Sequence, residues 1–224
     1  MSSRAAGSLG CLLGCVDGEN EMNGPLFRFA RWCPGALGLW LRQRLFPSYF
    51  KTCGRKVLFG RFVELVGPEK IELGSRVVLT NGVVLDAGRA MASPAIILED
   101  SVFIGTGSVL SAEGQGTLTI RAGANFSSLC RVRASAPLEV GRNCLVAAYC
   151  ELGDGTPEEE VRDQGELKRE TTVAEGCWLG VRMRLLPGVT VGHDTIVGAH
   201  AVVTTDLPSY VVAVGNPAAV LRKR

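Results

Sequence analysis

The sequence predicts an all-β chain wound into a three-sided coil of short stacked strands, with a helical segment over its beginning. Three observations carry that prediction. Aliphatic residues recur at every sixth position, as Val173, Leu179, Leu185, Val191, Val197 and Val203 show. Helices repeat at about 3.6 residues and strands at 2, so neither alone asks for six. The anchors come in groups of three, and each interruption of the series falls after a third anchor. The residue four places beyond an anchor is usually small or aliphatic, as at Val102, Ser108, Ala124, Cys130, Cys144, Cys150, Cys177, Val189, Thr195 and Ala201. Three sides of six residues then make one turn, each anchor points inward, and only a small side chain fits beside each corner.

Residues 1–24 read as an extension or leader: "RAAGSLGCLLGC" sets one Arg before a short apolar run, without a convincing cleavage site. Residues 25–52 form a helical, basic segment. It contains "PGALGLWLRQRLFPSYF", whose apolar run is broken by Arg42 and Arg44 and is too short to cross a bilayer. From Met22 to Val63 there is no Asp or Glu, but eight basic residues: Arg28, Arg31, Arg42, Arg44, Lys51, Arg55, Lys56 and Arg61. Two readings stand for this stretch: a cap packed on the first turn with its arginines in water, or a surface lying on an anionic membrane.

The coil is expected over residues 53–207, about seven turns. Its anchors begin at Cys53, Phe59 and Leu65 and continue through Leu73, Leu79, Leu85; Leu98, Ile104, Leu110; Ile120, Phe126, Val132; and Val140, Val146, Leu152. Insertions of two, seven, four, two and fifteen residues precede Leu73, Leu98, Ile120, Val140 and Val173. All should leave from one corner. Glycines that follow anchors, such as Gly74, Gly105, Gly141, Gly180, Gly192 and Gly198, suit bends of positive φ or close backbone approach. The longest insertion makes a loop at residues 156–172. Residues 208–224, "PSYVVAVGNPAAVLRKR", should close the far end, because open strand edges need cover.

Composition narrows the function classes. A net charge of +2 over 224 residues leaves no nucleic-acid footprint. The eight cysteines form no CxxC pair, and His193 and His200 are the only histidines, so no structural metal is expected. Cys53, Cys130, Cys144, Cys150 and Cys177 fall at inward positions, where a free thiol packs as a small hydrophobe.

The segment "VAEGCWLGVRMRLLPGVTVGHDTIVGAHAVVTTDLPSYVVAVGNPAAVLRKR" resembles the C-terminal signature of the hexapeptide-repeat acyltransferases. More narrowly, it is similar to the maltose/galactoside and polysaccharide O-acetyltransferase type. The resemblance implies a left-handed parallel β-helix, a homotrimer, and acetyl-CoA held in a groove between subunits; a cytoplasmic location is expected from the weak leader. It also implies transfer of the acetyl group to a hydroxyl or amine. By position, Trp178, Gly180 and Gly198 would lie along the pantetheine arm, and Thr204 and Thr205 near the distal part of the cofactor. Thr205 stands where the family has Lys, and Arg222, Lys223 and Arg224 would supply charge to the phosphates instead. Trp178 has a second reading, as an outward aromatic filling a subunit interface.

Acyl transfer from a thioester needs a base for the acceptor's proton. In the family that base is a His on the turn before the long loop. Here that turn, "NCLVAAYCELGDG", has none. The replacements expected are Asp154 first, Tyr149 second and His200 third. The alternative is a trimeric scaffold or CoA-binding protein without chemistry. A carbonic-anhydrase-like branch of the fold needs three metal-binding histidines and is disfavoured by the two present.

Overall fold

The computed structural model describes residues 24–153 and 169–224. Its body is a parallel β-helix with three flat faces. Seven strands stack on the first face, from Thr52–Cys53 to Thr190–Val191, and seven on the third, from Glu64–Val66 to Val202–Val203. The second face holds seven coil strands, from Leu58–Phe59 to Ile196–Val197, and two more from the C-terminus. The register places anchor on anchor: Val140 lies beside Val173, which lies beside Val191. Every anchor except half-buried Cys53 is buried, so one narrow apolar column runs the length of the coil. Seven turns at the spacing of neighbouring strands make a rod on the order of 30 Å long.

The bends have one solution repeated. The third residue after each first-face and second-face anchor is left-handed, from Lys56 (φ 60°) and Phe62 (φ 57°) to Asp194 (φ 55°) and His200 (φ 59°). The next residue turns inward and is buried, as Val57, Val102, Cys130 and Thr195 are. Gly74, Gly105, Gly141, Gly180, Gly192 and Gly198, none of them at positive φ, therefore serve close approach alone. A Cβ on Gly180 would meet Ala199 N at 2.5 Å and the Gly198 carbonyl carbon at 2.7 Å, both on the next turn. The inward thiols pack as expected and remain free. Cys130, Cys144, Cys150 and Cys177 also each donate to a carbonyl of the next turn, as Cys144 Sγ does to Ala174 O at 3.0 Å and Cys150 Sγ to Gly180 O at 3.1 Å. The neighbouring thiol, Cys177 for Cys144 and Cys130 for Cys150, together with burial, pushes both well above the usual thiol range, so they stay protonated.

All the insertions leave between a third-face strand and the next first-face strand, at a single corner. The last of them ends earlier than residue 172, because Thr171–Val173 is already a strand paired with Leu138–Val140. Residues 154–168, and with them Asp154 and most of that loop, lie outside the described residues, as do 1–23.

The cap consists of α1 (Pro25–Trp32), α2 (Gly35–Leu45) and a 3-10 turn at Phe46–Tyr49. Phe27 stacks on Phe46 with centroids 4.8 Å apart, and Phe46 meets Phe59 of the first turn at 5.4 Å. Buried Arg42 fixes the cap. It donates to Ala30 O (2.9 Å) and Cys33 O (2.8 Å) at the end of α1 and to Phe59 O (2.9 Å) of the coil. Its burial lowers its pKa from the usual arginine value, while the carbonyls stabilise its charge.

The coil runs past its expected end at Leu207. Leu207 bridges to Val191 on the first face, and Val211–Val214 pairs in parallel with Ile196–Val197 on the second. The interval between Val203 and Ala213 is not a multiple of six, which hid this partial turn from the period. Ala219–Lys223 then turns back antiparallel on Val211–Val214 and covers the final edge of that face.

Candidate functional site

The corner between the second and third faces carries, from one end of the rod to the other, Phe62, Gly82, Gly107, Leu129, Tyr149, Arg182 and His200, all left-handed. The same conformation recurs at every turn, so at Tyr149 and His200 it reflects the coil's geometry and not strain reserved for chemistry. Between Gly107 and His200 this edge opens into a groove of about 600 Å³. Its rim adds the outward residues Arg131, Glu151 and Arg184 of the third face and Met183 beneath.

Two of the expected bases thus share one groove. Tyr149 and His200 are two turns apart, about 10 Å along the edge, with Arg182 between them in chain order of turns. The Arg182 guanidinium lies 5.3 Å from the centre of the Tyr149 ring, at cation–π distance. Arg184 Nε is 3.7 Å from a Glu151 oxygen. Three arginines against one carboxylate make the groove an anion-attracting site. The strand Glu151–Leu152 on its wall leads directly to residues 154–168.

The expected cofactor residues divide. Trp178 points out from the second face, 53% exposed, beside Leu145 and Ile196. Ile196 neighbours Val212, which faces Arg222, so Trp178 and Arg222 share one outward row. Gly180 and Gly198 follow the anchors of that same face. Gly180 is already required by the backbone of the next turn, and a Cβ on Gly198 would meet the Val214 side chain at 2.7 Å. Thr204 and Thr205 are exposed after the last third-face strand, at the corner opposite the second face. Within one chain they do not join Trp178. Lys223 lies opposite Val211, and Arg224 is tied down by Asp194, with Nη1 2.9 Å from the Asp194 carbonyl and 3.6 Å from a carboxylate oxygen.

His193 sits away from the groove, on the corner between the first and second faces. Its Nδ1 is 3.3 Å from Asp194 Oδ2, and its ring meets Tyr210 edge-on at 4.6 Å. No cluster of three metal-ligating side chains occurs among the described residues. Sequence reasoning missed Arg131, Arg182 and Arg184, and passed over Glu151 as a proton-handling side chain of the turn before the loop. The signal was present: three of them precede third-face anchors, and Arg182 holds the same place after its anchor as Tyr149 and His200.

No family model matches the sequence. The galactoside O-acetyltransferase of Escherichia coli is 37% identical over 87 residues, which cover 38% of this chain and 43% of that one. A Mycobacterium tuberculosis protein named a probable acetyltransferase is 34% identical over 92 residues, 39% of this chain and 31% of the other. Among solved structures, a mutant of AntD, an N-acyltransferase from Bacillus cereus in complex with dTDP and coenzyme A, superposes with a TM-score of 0.55. It is 20% identical and aligns with 82% of this chain and 88% of its own. In sequence the chain is similar to proteins named acetyltransferases, and in fold it is similar to an N-acyltransferase. The matched segments are less than half the length of these curated relatives. The three stacked faces are the products of the six-residue repeat.

Proposed function

We propose that the chain is an acetyl-CoA-dependent acyltransferase acting on a hydroxyl of a saccharide or related small metabolite, as a homotrimer with the cofactor between subunits. The observation that carries the proposal is the groove, which holds Tyr149, Arg182 and His200 together on one edge. The names of the relatives support acyl transfer over a scaffold without chemistry.

In the reaction the acceptor O–H gives up its proton to a base as its oxygen bonds to the thioester carbonyl carbon. The C–S bond then breaks, and the CoA thiolate leaves and is protonated. Among the side chains of the groove, an imidazole is the type that accepts a proton near neutrality, so His200 takes the role of base in this reading. Tyr149, held under Arg182, positions the acceptor or the thioester oxygen. Oriented binding supplies a further large part of the barrier. Asp154, the first expectation from the sequence, stays in the test set.

Titration calorimetry with CoA comes first, and no heat at millimolar concentration removes the enzyme reading. With binding established, acetyl transfer is followed for His200→Ala, Tyr149→Phe and Asp154→Asn. Loss of the base lowers kcat by about 10²–10⁴-fold. His193→Ala, on another corner, leaves the rate unchanged. Equal rates in all four variants refute the assignment of the groove.

A further inference from the structure

The helical cap presents apolar side chains to solvent in a number that packing does not explain. Leu26, Phe29 and Trp32 recur every third residue along α1 and are 58%, 47% and 55% exposed. On α2, Leu37 and Trp40 follow the same spacing, each 60% exposed. The buried residues of both helices are Phe27, Ala30, Gly38 and Arg42, with Phe27 against Phe46 of the cap and Arg42 on the coil at Phe59 O. Soluble surfaces scatter single apolar residues, but a grouped set with two tryptophans marks a contact site.

The charge around the patch selects the partner. Between Met22 and Val63 the chain has no acid. Arg42 is used internally, and Arg31 and Lys51 pair with Glu64 at 3.1 Å and Glu72 at 3.1 Å. Arg28, Arg44, Arg55 and Lys56 have no carboxylate partner among the described residues. Arg28 stands on α1 beside the apolar stripe, and Arg44 lies one helical turn beyond Trp40. Tryptophan and phenylalanine flanked by unpaired arginines suit the boundary between headgroups and acyl chains, where the ring is buried and the cation meets lipid phosphate. A stretch without acids suffers no repulsion from that surface. No helix among the described residues is long and apolar enough to cross a membrane, so the contact is peripheral.

We propose that α1 and α2 dock the protein on an anionic lipid bilayer, with Leu26, Phe29, Trp32, Leu37 and Trp40 inserted at the headgroup boundary and Arg28 and Arg44 on the lipid phosphates. This inference is independent of the acyl-transfer reading.

The full chain is sedimented with vesicles of phosphatidylcholine alone and with phosphatidylserine added. It is expected to partition to the anionic vesicles, and to leave them as salt rises. The tryptophan emission shifts to the blue on binding. Arg28→Gln with Arg44→Gln weakens the anionic partition about thirtyfold, from roughly fivefold per charge. Trp32→Ser with Trp40→Ser abolishes the blue shift without changing the circular dichroism spectrum, since both rings are outside the core. Equal recovery in the supernatant with both vesicle types overturns the proposal. So does binding that neither double variant weakens. A change of oligomeric state in the tryptophan variant without a change in vesicle binding assigns the patch to a second copy of the chain, and also overturns it.

Discussion

Gly180→Ala is the substitution that best separates packing from ligand binding. The added Cβ would lie 2.5 Å from Ala199 N, 2.7 Å from Gly198 C and 2.8 Å from Val197 O. The shortest contact is about 0.9 Å inside the 3.4 Å where ordinary contact begins, and all three atoms are backbone. The sixth and seventh turns must therefore separate on the second face. That stretches Gly180 N to Val197 O, now 2.8 Å, out of hydrogen-bond range and weakens Trp178 N to Thr195 O at 3.0 Å. Each such bond is worth about 0.5–1.5 kcal/mol net. With the loss of core contact beneath, the cost is about 2–4 kcal/mol. For a chain of this size that lowers the melting temperature by roughly 5–15 °C. Gly82→Ala is the control, because its Cβ meets nothing closer than 3.9 Å and only the φ of +67° is costly. It should lose about 1 kcal/mol. Thermal melts of both, followed by circular dichroism, are the assay. A Gly180→Ala protein that melts with the wild type but no longer binds CoA would refute the argument and give the glycine to the ligand.

Val191→Asp places an unpaired carboxylate in a fully buried column, so no soluble folded protein is expected on expression. Arg42→Met leaves the carbonyls of Ala30, Cys33 and Phe59 without their charged donor, at a cost of about 3–5 kcal/mol in all. Limited proteolysis should then cut the cap from an intact coil. The Arg121 guanidinium, at 2.8 Å, and the Ala122 N–H hold the Glu99 pKa below the usual glutamate value. The unfolded chain takes up that proton first as pH falls. The contribution is therefore complete above the ordinary glutamate range and is lost as pH drops towards the lowered folded value. Urea midpoints across the acid range should decline less steeply in Arg121→Gln.

The coil was legible because its physics is local and periodic. A narrow apolar column needs an anchor on every side of every turn, and a corner leaves room only for a small side chain. Those two demands wrote Val173, Leu179, Leu185 and their partners into the sequence at fixed intervals, and confined the insertions to one corner. The bend was less legible. Its left-handed residue is glycine at Gly107 but Leu129, Tyr149, Arg182 and His200 elsewhere, because in those turns the stacking overrides the local preference. The partial last turn was hidden by its broken spacing. The groove was hidden for a different reason: Tyr149, Arg182 and His200 are up to 51 residues apart in the chain. Only the stacking of three turns puts them on one edge. What the sequence by itself determined was the coil, since an inward position tolerates few residue types. Only the tertiary structure decided which outward side chains meet, because solvent-facing positions accept almost any residue and carry no period of their own.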